Sequence, residues 1–334
     1  MSRPRSFDSY DESDARVRPG RGSRPRSKLR PAHEDAERGF VVAVDRGRLT
    51  CLIEPDERPV TAMRARELGR KAVVVGDFVG LVGDTSGDEG TLARIVRVED
   101  RVRFLRRTAD DDDPVERVIV ANADQMVIVT SVTDPEPRPR LIDRCLVAAY
   151  DAGIDPLLCI TKTDLEDPTE LLAAFEPLGV TMLATELHSD LDPLRERISG
   201  RRSVLVGHSG VGKSTLVNAL VPGADRATGT VNVVTGRGRH TSTSAVALRL
   251  PGGGWVIDTP GIRSFGLAHV DPNQLISAFP DLDEVKVDCP RRCSHGVDEP
   301  QCALDDALRD GRLDAARVES FRRLLTSRDR QAGD

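Results

Sequence analysis

Short runs in which apolar and polar residues alternate fill the first third of the folded chain. They are Phe40–Val44, Leu49–Ile53, Val73–Val75, Phe78–Val82 and Leu92–Val98, broken by turn clusters at Asp45-Arg46-Gly47 and Gly83–Gly90. Alternation of period two marks strands with one buried face, and five of them in so few residues predict a small β-barrel of the oligonucleotide-binding type over 38–108. Phe40, Phe78 and Phe104 are its only aromatics, which favours backbone-tracking by arginine over base stacking. The acidic run Asp110–Asp113 with Pro114 reads as a linker.

Beyond it the pattern changes to short continuous apolar runs separated by segments of helical spacing. Gln125–Thr130, Pro156–Thr161, Val180–Ala184, Val204–Val206 and Trp255–Ile257 read as buried strands. Arg140–Tyr150, Leu171–Leu178 and Leu191–Ile198 read as the helices between them. This is the sequence of a parallel, doubly wound α/β sheet over 115–270, whose ligands sit beyond the carboxyl ends of the strands. From Leu304 to Leu325 the apolar residues again recur at helical spacing, which predicts two short helices broken at Gly311. Their exposed faces carry Arg309, Arg312, Arg317, Arg322 and Arg323, placed either against RNA or in solvent.

Composition adds limits. No run of about 18 apolar residues exists and no hydrophobic leader precedes the fold, so neither a membrane span nor secretion is expected. Net charge is −6, but residues 1–37 are rich in Arg, Pro, Gly and Ser, with seven Arg or Lys and no acid between Ala15 and Arg30. Such a segment lacks the apolar surface to offset its ordering entropy and is expected to be a disordered basic tail, either solvated or in contact with nucleic acid. Of the six cysteines, Cys51, Cys145 and Cys159 stand alone in apolar surroundings, while three cluster near the C-terminus.

The chemistry concentrates at Ser203–Leu220. A short strand leads into Gly207-x-x-x-x-Gly212-Lys213-Ser214 and then a helix, the arrangement that wraps backbone N–H groups around a phosphate chain. Within it Gly207, Ser209, Gly210, Val211, Gly212 and Thr215 supply the cradle, Lys213 faces β- and γ-oxygens, and Ser214 offers a hydroxyl to Mg²⁺. Thr161-Lys162-Thr163-Asp164 ends a strand, where a carboxylate can accept from the N1–H and exocyclic amine of guanine. Asp258-Thr259-Pro260-Gly261 ends another, placing Asp258 near the Mg²⁺ hydration shell and the Gly261 N–H near a γ-phosphate. The polar stretch Gly223–Ser244 between them fits a switch segment. Finally, Cys289, Cys293, His295 and Cys302 make a Cys₃His set, the composition of a closed structural zinc site.

The base-selecting tetrapeptide precedes the phosphate loop, whereas in ordinary GTPases it comes last. With GHSGVGKST, GRGRHTSTSA and DTPGIRSFG, this order resembles the bacterial ribosome small-subunit-dependent GTPase A family, a circularly permuted GTPase family, from about Gly39 to about Leu325. The resemblance implies an N-terminal oligonucleotide-binding barrel, a permuted GTPase domain and a C-terminal zinc-binding helical domain over 271–334. It also implies GTP hydrolysis in the cytoplasm by a monomer, stimulated by the small ribosomal subunit and its rRNA during late maturation. Readings outside the family also remain, an RNA-binding nucleotide switch with negligible turnover and an ATP-using enzyme on a small substrate. Three departures stand out. Thr161 replaces the usual Asn, removing an amide able to touch the base and brace the phosphate loop. Leu183-Ala184-Thr185-Glu186 only partly matches the base-backing motif. Ile262 stands where many GTPases place a water-orienting Gln, which leaves His240 as the candidate catalytic group.

Overall fold

The computed structural model describes residues 33–329 apart from 46, 69–72, 109–115, 187–189, 225–244, 260–264, 266 and 268. Residues 1–32 of the expected basic tail, His240, Gly261 and Ile262 therefore lie outside the described residues, and Glu37, the tail's last expected residue, opens a strand.

Strands β1 (Glu37–Asp45), β2 (Arg48–Ile53), β3 (Arg58–Arg64), β4 (Phe78–Gly83) and β5 (Ala93–Val98) close a barrel in the order β1-β2-β3-β5-β4-β1. Closure comes from β1, which pairs with β2 along one edge and with β4 along the other. Val41, Cys51, Val60, Val79 and Ile95 fill the interior. Val41 points inward, while its neighbours Phe40 and Val42 are buried in the main core outside the barrel. That double burial explains why β1 reads as a continuous apolar run rather than a clean alternation.

One expectation needs correcting, and another falls outside the described residues. The third barrel strand is Arg58–Arg64, whose sequence RPVTAMR turns only Val60 and Ala62 fully into the core; Val73–Val75 makes a single bridge, Val75 to Val120, instead. The acidic run expected to link domains lies outside the described residues, but its flanks β6 (Phe104–Thr108) and β7 (Glu116–Ala121) pair antiparallel from Phe104–Ala121 to Thr108–Glu116. Those flanks form the two arms of a β-hairpin. A side-chain knot ties this hairpin to the barrel. Asn122 Nδ2 donates to Gly76 O at 2.9 Å, and its Oδ1 accepts from Val102 N at 3.0 Å. A Cβ on Gly76 would lie 1.9 Å from Ala121 O, so only glycine permits the approach.

The second sheet has the order β10-β9-β8-β11-β13-β12, built from β8 (Gln125–Ser131), β9 (Asp155–Thr161), β10 (Thr181–Ala184), β11 (Arg202–Val206), β12 (Val246–Arg249) and β13 (Trp255–Asp258). All are parallel except β12, which runs antiparallel to β13 and also touches β1 through Ala43–Val246. Helices α1 (Pro139–Asp151), α2 (Thr169–Phe175), α3 (Asp192–Ile198) and α4 (Lys213–Leu220) connect the strands. Burial of all seven β8 residues is what parallel packing between helices demands.

The C-terminal helices α5 (Pro272–Ile276), α6 (Pro280–Lys286), α7 (Ala303–Arg309) and α8 (Ala315–Asp329) extend the core on the α1 side. Tyr150, Phe279 and Phe321 stack edge to face, with centroids 5.2 and 5.4 Å apart. The break between α7 and α8 falls at Gly311, whose φ of +68° is readily reached by glycine.

Arg317, Arg322 and Arg323 do not form an outward basic face. Arg317 bridges Asp281 at 2.8 Å and donates to Pro177 O, and Arg322 reaches Asp305 at 2.8 Å and His295 O at 3.2 Å. Arg323 binds Asp143 on α1 through Nε at 3.0 and 3.2 Å and also reaches Ala174 O. Burial pushes the Asp143 carboxyl above its usual range, against the pull of Arg323. Removing that partner leaves a buried carboxylate unpaired, which costs about 3–5 kcal/mol in a fully buried pair. Because Arg323 is 38% exposed, solvent screening reduces this. Arg323→Ala should lower the stability measured by urea unfolding by about 2–3 kcal/mol; a loss below about 0.5 kcal/mol would show that α8 docks without this pair.

Candidate nucleotide site and metal centre

Parallel β8, β9, β11 and β13 end on one edge of the sheet, so Ser131, Thr161, Gly207 and Asp258 arrive together whatever their order in the chain. Gly207 leaves β11 with φ +147°, and a Cβ there would lie 2.1 Å from Val129 O on β8. Gly212 adopts φ +91° and starts α4 at Lys213, leaving Ser214 and Thr215 exposed in its first turn. The loop between is anchored by Val211, which is buried beneath it in the core of Leu205, Leu216 and Val217. Ser209 and Gly210 remain exposed at its tip.

Lys213 folds back across the loop, donating to Gly207 O at 2.7 Å and His208 O at 2.5 Å. Burial pushes its ammonium down to about 8. No carboxylate is among the causes of that shift, and an anion bound in the loop would oppose it.

Thr161 is buried against the loop. Its Oγ1 donates to Val211 O at 2.7 Å, with Thr130 O at 3.1 Å as a second acceptor. Replacement of the family's usual Asn therefore does not abolish the brace, as expected from sequence; a hydroxyl carries it instead. Lys162, at φ +61°, bonds Asp134 O through Nζ. Ser131 Oγ donates to Pro135 O at 2.7 Å, which sets Pro135 beside the loop where a Gly210 Cβ would be 3.4 Å away. Nothing in the sequence marks 134–135 as part of the site; only the juxtaposition of β8 with β9 and β11 brings it there. Asp164 is exposed in the turn closed by Leu165 N to Lys162 O at 3.0 Å. Thr185, after β10, accepts from Thr163 N at 3.5 Å, so the imperfect base-backing segment touches the base-selecting turn.

Asp258 is buried in register with Leu205. Next to it Thr259 Oγ1 donates to Leu205 O at 2.7 Å and pins the strand end to β11. The structure thus joins Thr161 to Val211 and sets it beside Gly212, ties Lys162 to Asp134 and Lys213 to Gly207 and His208, and aligns Asp258 through β13.

Remote from this edge, Cys289, Cys293, His295 and Cys302 place their ligand atoms within 4.8 Å of one another. His295 Nδ1 lies 3.6 Å from Cys289 Sγ and 3.9 Å from Cys302 Sγ. Zinc bonds of about 2.0–2.3 Å give tetrahedral edges of about 3.5–3.8 Å, so the set fits a zinc ion with modest contraction. The opposite ring nitrogen sits 3.3 Å from Asn273 Oδ1, which favours a proton on Nε2 and a free Nδ1. Ala303 N donates to Cys289 Sγ at 3.3 Å, the kind of contact that favours a thiolate. Burial, with the Lys286 charge, lowers the His295 pKa and keeps the imidazole in its ligating neutral form.

A family model described as RsgA GTPase matches residues 98–268. The small ribosomal subunit biogenesis GTPase RsgA of Ectopseudomonas mendocina is 41% identical over 265 residues, 77% of this chain and 75% of that protein. The protein of the same name from Chlorobaculum parvum is 39% identical over 282 residues, 81% and 90% of the two chains. Among solved structures, YjeQ from Thermotoga maritima matches with a TM-score of 0.65 at 27% identity, over 87% of this chain and 97% of that one. YloQ, described as a circularly permuted GTPase, gives 0.63 at 25% identity, over 89% and 97%.

Two measurements follow from the geometry. A phosphate bound in the loop would hold Lys213 charged, so the affinity the lysine contributes would be fully present below about 8 and lost as pH rises above it. Calorimetric titration with a guanine nucleotide should give a flat affinity up to that point and then a decline approaching about tenfold per pH unit; a flat profile through pH 9–10 (about two units above the expected break) would contradict it. Thr161→Val removes the brace at nearly constant volume and should weaken nucleotide binding about three- to tenfold, while Thr161→Ser should retain it. Equal affinities for all three chains would show that the hydroxyl braces nothing.

Proposed function

This chain belongs to the RsgA GTPase family, and on that premise we propose that it hydrolyses GTP when docked on the small ribosomal subunit, late in that subunit's maturation. The hydrolase activity and the role in small-subunit biogenesis follow from the family. The assignment of steps to residues rests chiefly on one observation, the 2.7 Å bond that joins the base-selecting turn at Thr161 to the phosphate loop at Val211. Two segments 50 residues apart and in inverted order share one site.

In this reading Asp164 accepts from the guanine edge and rejects adenine, which lacks that donor pair. The backbone of Gly207–Gly212 and the first turn of α4 receive the phosphates, with Lys213 transferring its hydrogen bonds from loop carbonyls to β- and γ-oxygens. Ser214 and Asp258 would hold Mg²⁺, directly and through its waters; bound there, the ion neutralises charge on the phosphates. Gly261 senses the γ-phosphate. Ile262 has no polar atom to orient water, so His240 orients or deprotonates it once the partner orders the switch.

The Cys₃His set holds a structural zinc, since its four ligands leave no open position. The barrel contacts rRNA, and the protein works as a cytoplasmic monomer. Among the described residues, no helix is long and apolar enough to cross a membrane.

Phosphate release should be measured from GTP and from ATP, with and without small subunits. GTP turnover should rise with subunits and ATP turnover should not; equal rates for both nucleotides, or no stimulation, would refute the assignment. His240→Ala should lower the stimulated rate by about a hundredfold with nucleotide binding intact, and unchanged stimulated turnover would remove His240 from the mechanism. Metal analysis of the purified chain should find one zinc per chain, lost in Cys293→Ser together with protection of α5–α7 from proteolysis. A chain that is well folded and zinc-free would exclude the structural ion.

A further inference from the structure

A second cleft, of about 320 Å³, lies between the barrel and the nucleotide-binding sheet. Phe40 and Phe78 enter it from β1 and β4, and Trp255 from the start of β13. Their rings form one cluster, with Phe40 5.3 Å from Phe78 and 5.1 Å from Trp255. Guanidinium planes cover the outer ring faces: Arg38 lies 4.1 Å and Arg202 5.7 Å from the Phe78 centroid, and Arg249 lies 5.1 Å from that of Trp255. Each arginine also meets a carboxylate, Arg38 at Glu54, Arg202 at Asp124 and Arg249 at Glu57, at 2.6, 2.8 and 3.0 Å.

The lining selects a ligand class. Rings and guanidiniums present flat faces, while the arginine–carboxylate pairs present donors and acceptors side by side at the rim. Among the lining residues three carboxylates (Glu54, Glu57, Asp124) outnumber two guanidiniums (Arg202, Arg249), so a phosphate gains little by entering. A planar group with an apolar face and an edge of mixed donors and acceptors does gain, and the volume suits a small ligand. That description is a nucleobase. Counting aromatics along the barrel sequence gave too few for a stacking surface; Trp255, more than 150 residues further on, supplies the missing ring.

The location matters as much as the lining. Arg202 and Trp255 open β11 and β13, the strands whose far ends carry the phosphate loop and Asp258. The cleft and the nucleotide site therefore sit at opposite ends of the same two strands, about 13 Å apart at the usual strand rise. Arg249, on β12, spans the junction to reach Glu57 in the turn after β2.

We propose that this cleft receives an unstacked base of single-stranded RNA, with its sugar and phosphate left outside, at the end of β11 and β13 opposite the phosphate loop. The proposal rests on the reading above that this protein works against RNA. Trp255 is the only tryptophan in the chain, so its emission reports on this cleft alone.

The full chain is titrated with a mixed-sequence RNA oligomer and separately with the four nucleoside monophosphates, following Trp255 emission. Anisotropy of an end-labelled copy of the oligomer measures binding independently. The RNA should quench Trp255 with the midpoint given by anisotropy. Arg249→Ala, which removes the cation over Trp255 and its pair with Glu57, and Phe78→Leu, which keeps apolar volume but removes the ring, should each shift that midpoint at least fivefold with intrinsic GTP turnover unchanged. RNA binding that leaves Trp255 emission constant, or wild-type midpoints in both variants, overturns the proposal. So does quenching by monophosphates or by an arginine-rich peptide where RNA has none, since the first indicates a free nucleotide and the second a protein contact. Subunit-stimulated phosphate release in the same preparations reads the GTPase assignment separately, and its absence beside intact quenching would sink that assignment and leave the cleft standing.

Discussion

A single hydrogen bond network at the carboxyl edge of the sheet decides what this protein can be. Thr161 closes β9 and holds Val211 in the loop that follows β11, and Lys162 reaches Asp134 in the loop that follows β8. Were these loops independent, the base-selecting aspartate and the phosphate cradle would be two weak features on one surface. Joined, the two segments to which the proposed function assigns the base and the phosphates are held against each other. The join does not depend on chain order because β9, β8 and β11 are adjacent in the sheet, and adjacency is fixed by buried apolar strand faces rather than by loop connections.

The same sheet ties the nucleotide site to the rest of the chain in two directions. Toward the barrel, β12 pairs with β13 and touches β1, while Phe40 and Val42 leave the barrel to join the main core. The segment 225–244, expected to be the switch, leads directly into β12. Toward the C-terminus, α8 docks on α1 through aromatic contacts and through Arg323 on Asp143. Here arginines spend their charge inside the molecule. Arg317 and Arg322, with side chains only 18% and 12% exposed, have little left to offer an RNA.

The region around Cys289–Cys302 is held together by side chains rather than by secondary structure. Between α6 and α7 the chain has no strand or helix, and Arg292, His295 and Gln301 all adopt positive φ. Such a segment cannot hold itself with backbone ladders. Three sulfurs and an imidazole converge instead, oriented by Asn273 and the Ala303 amide, a donor set able to hold a metal ion.

Much of this was legible in the sequence. The phosphate loop, the inverted motif order, the Cys₃His set and the alternating strands each depend on local spacing, which a linear pattern records. The break at Gly311 was readable for the same reason, because glycine relieves a backbone conformation that other residues strain. Misreadings occurred where burial is decided by distant partners. Strand Arg58–Arg64 carries too few apolar residues to announce itself and exists because β2 and β5 flank it. Thr161 looked like a lost brace, yet a hydroxyl 2.7 Å from the loop restores it, and distance is a tertiary quantity. Sequence by itself determined which chemistry is present; only the fold decided which groups meet, because packing sets neighbours across spans that no local pattern encodes.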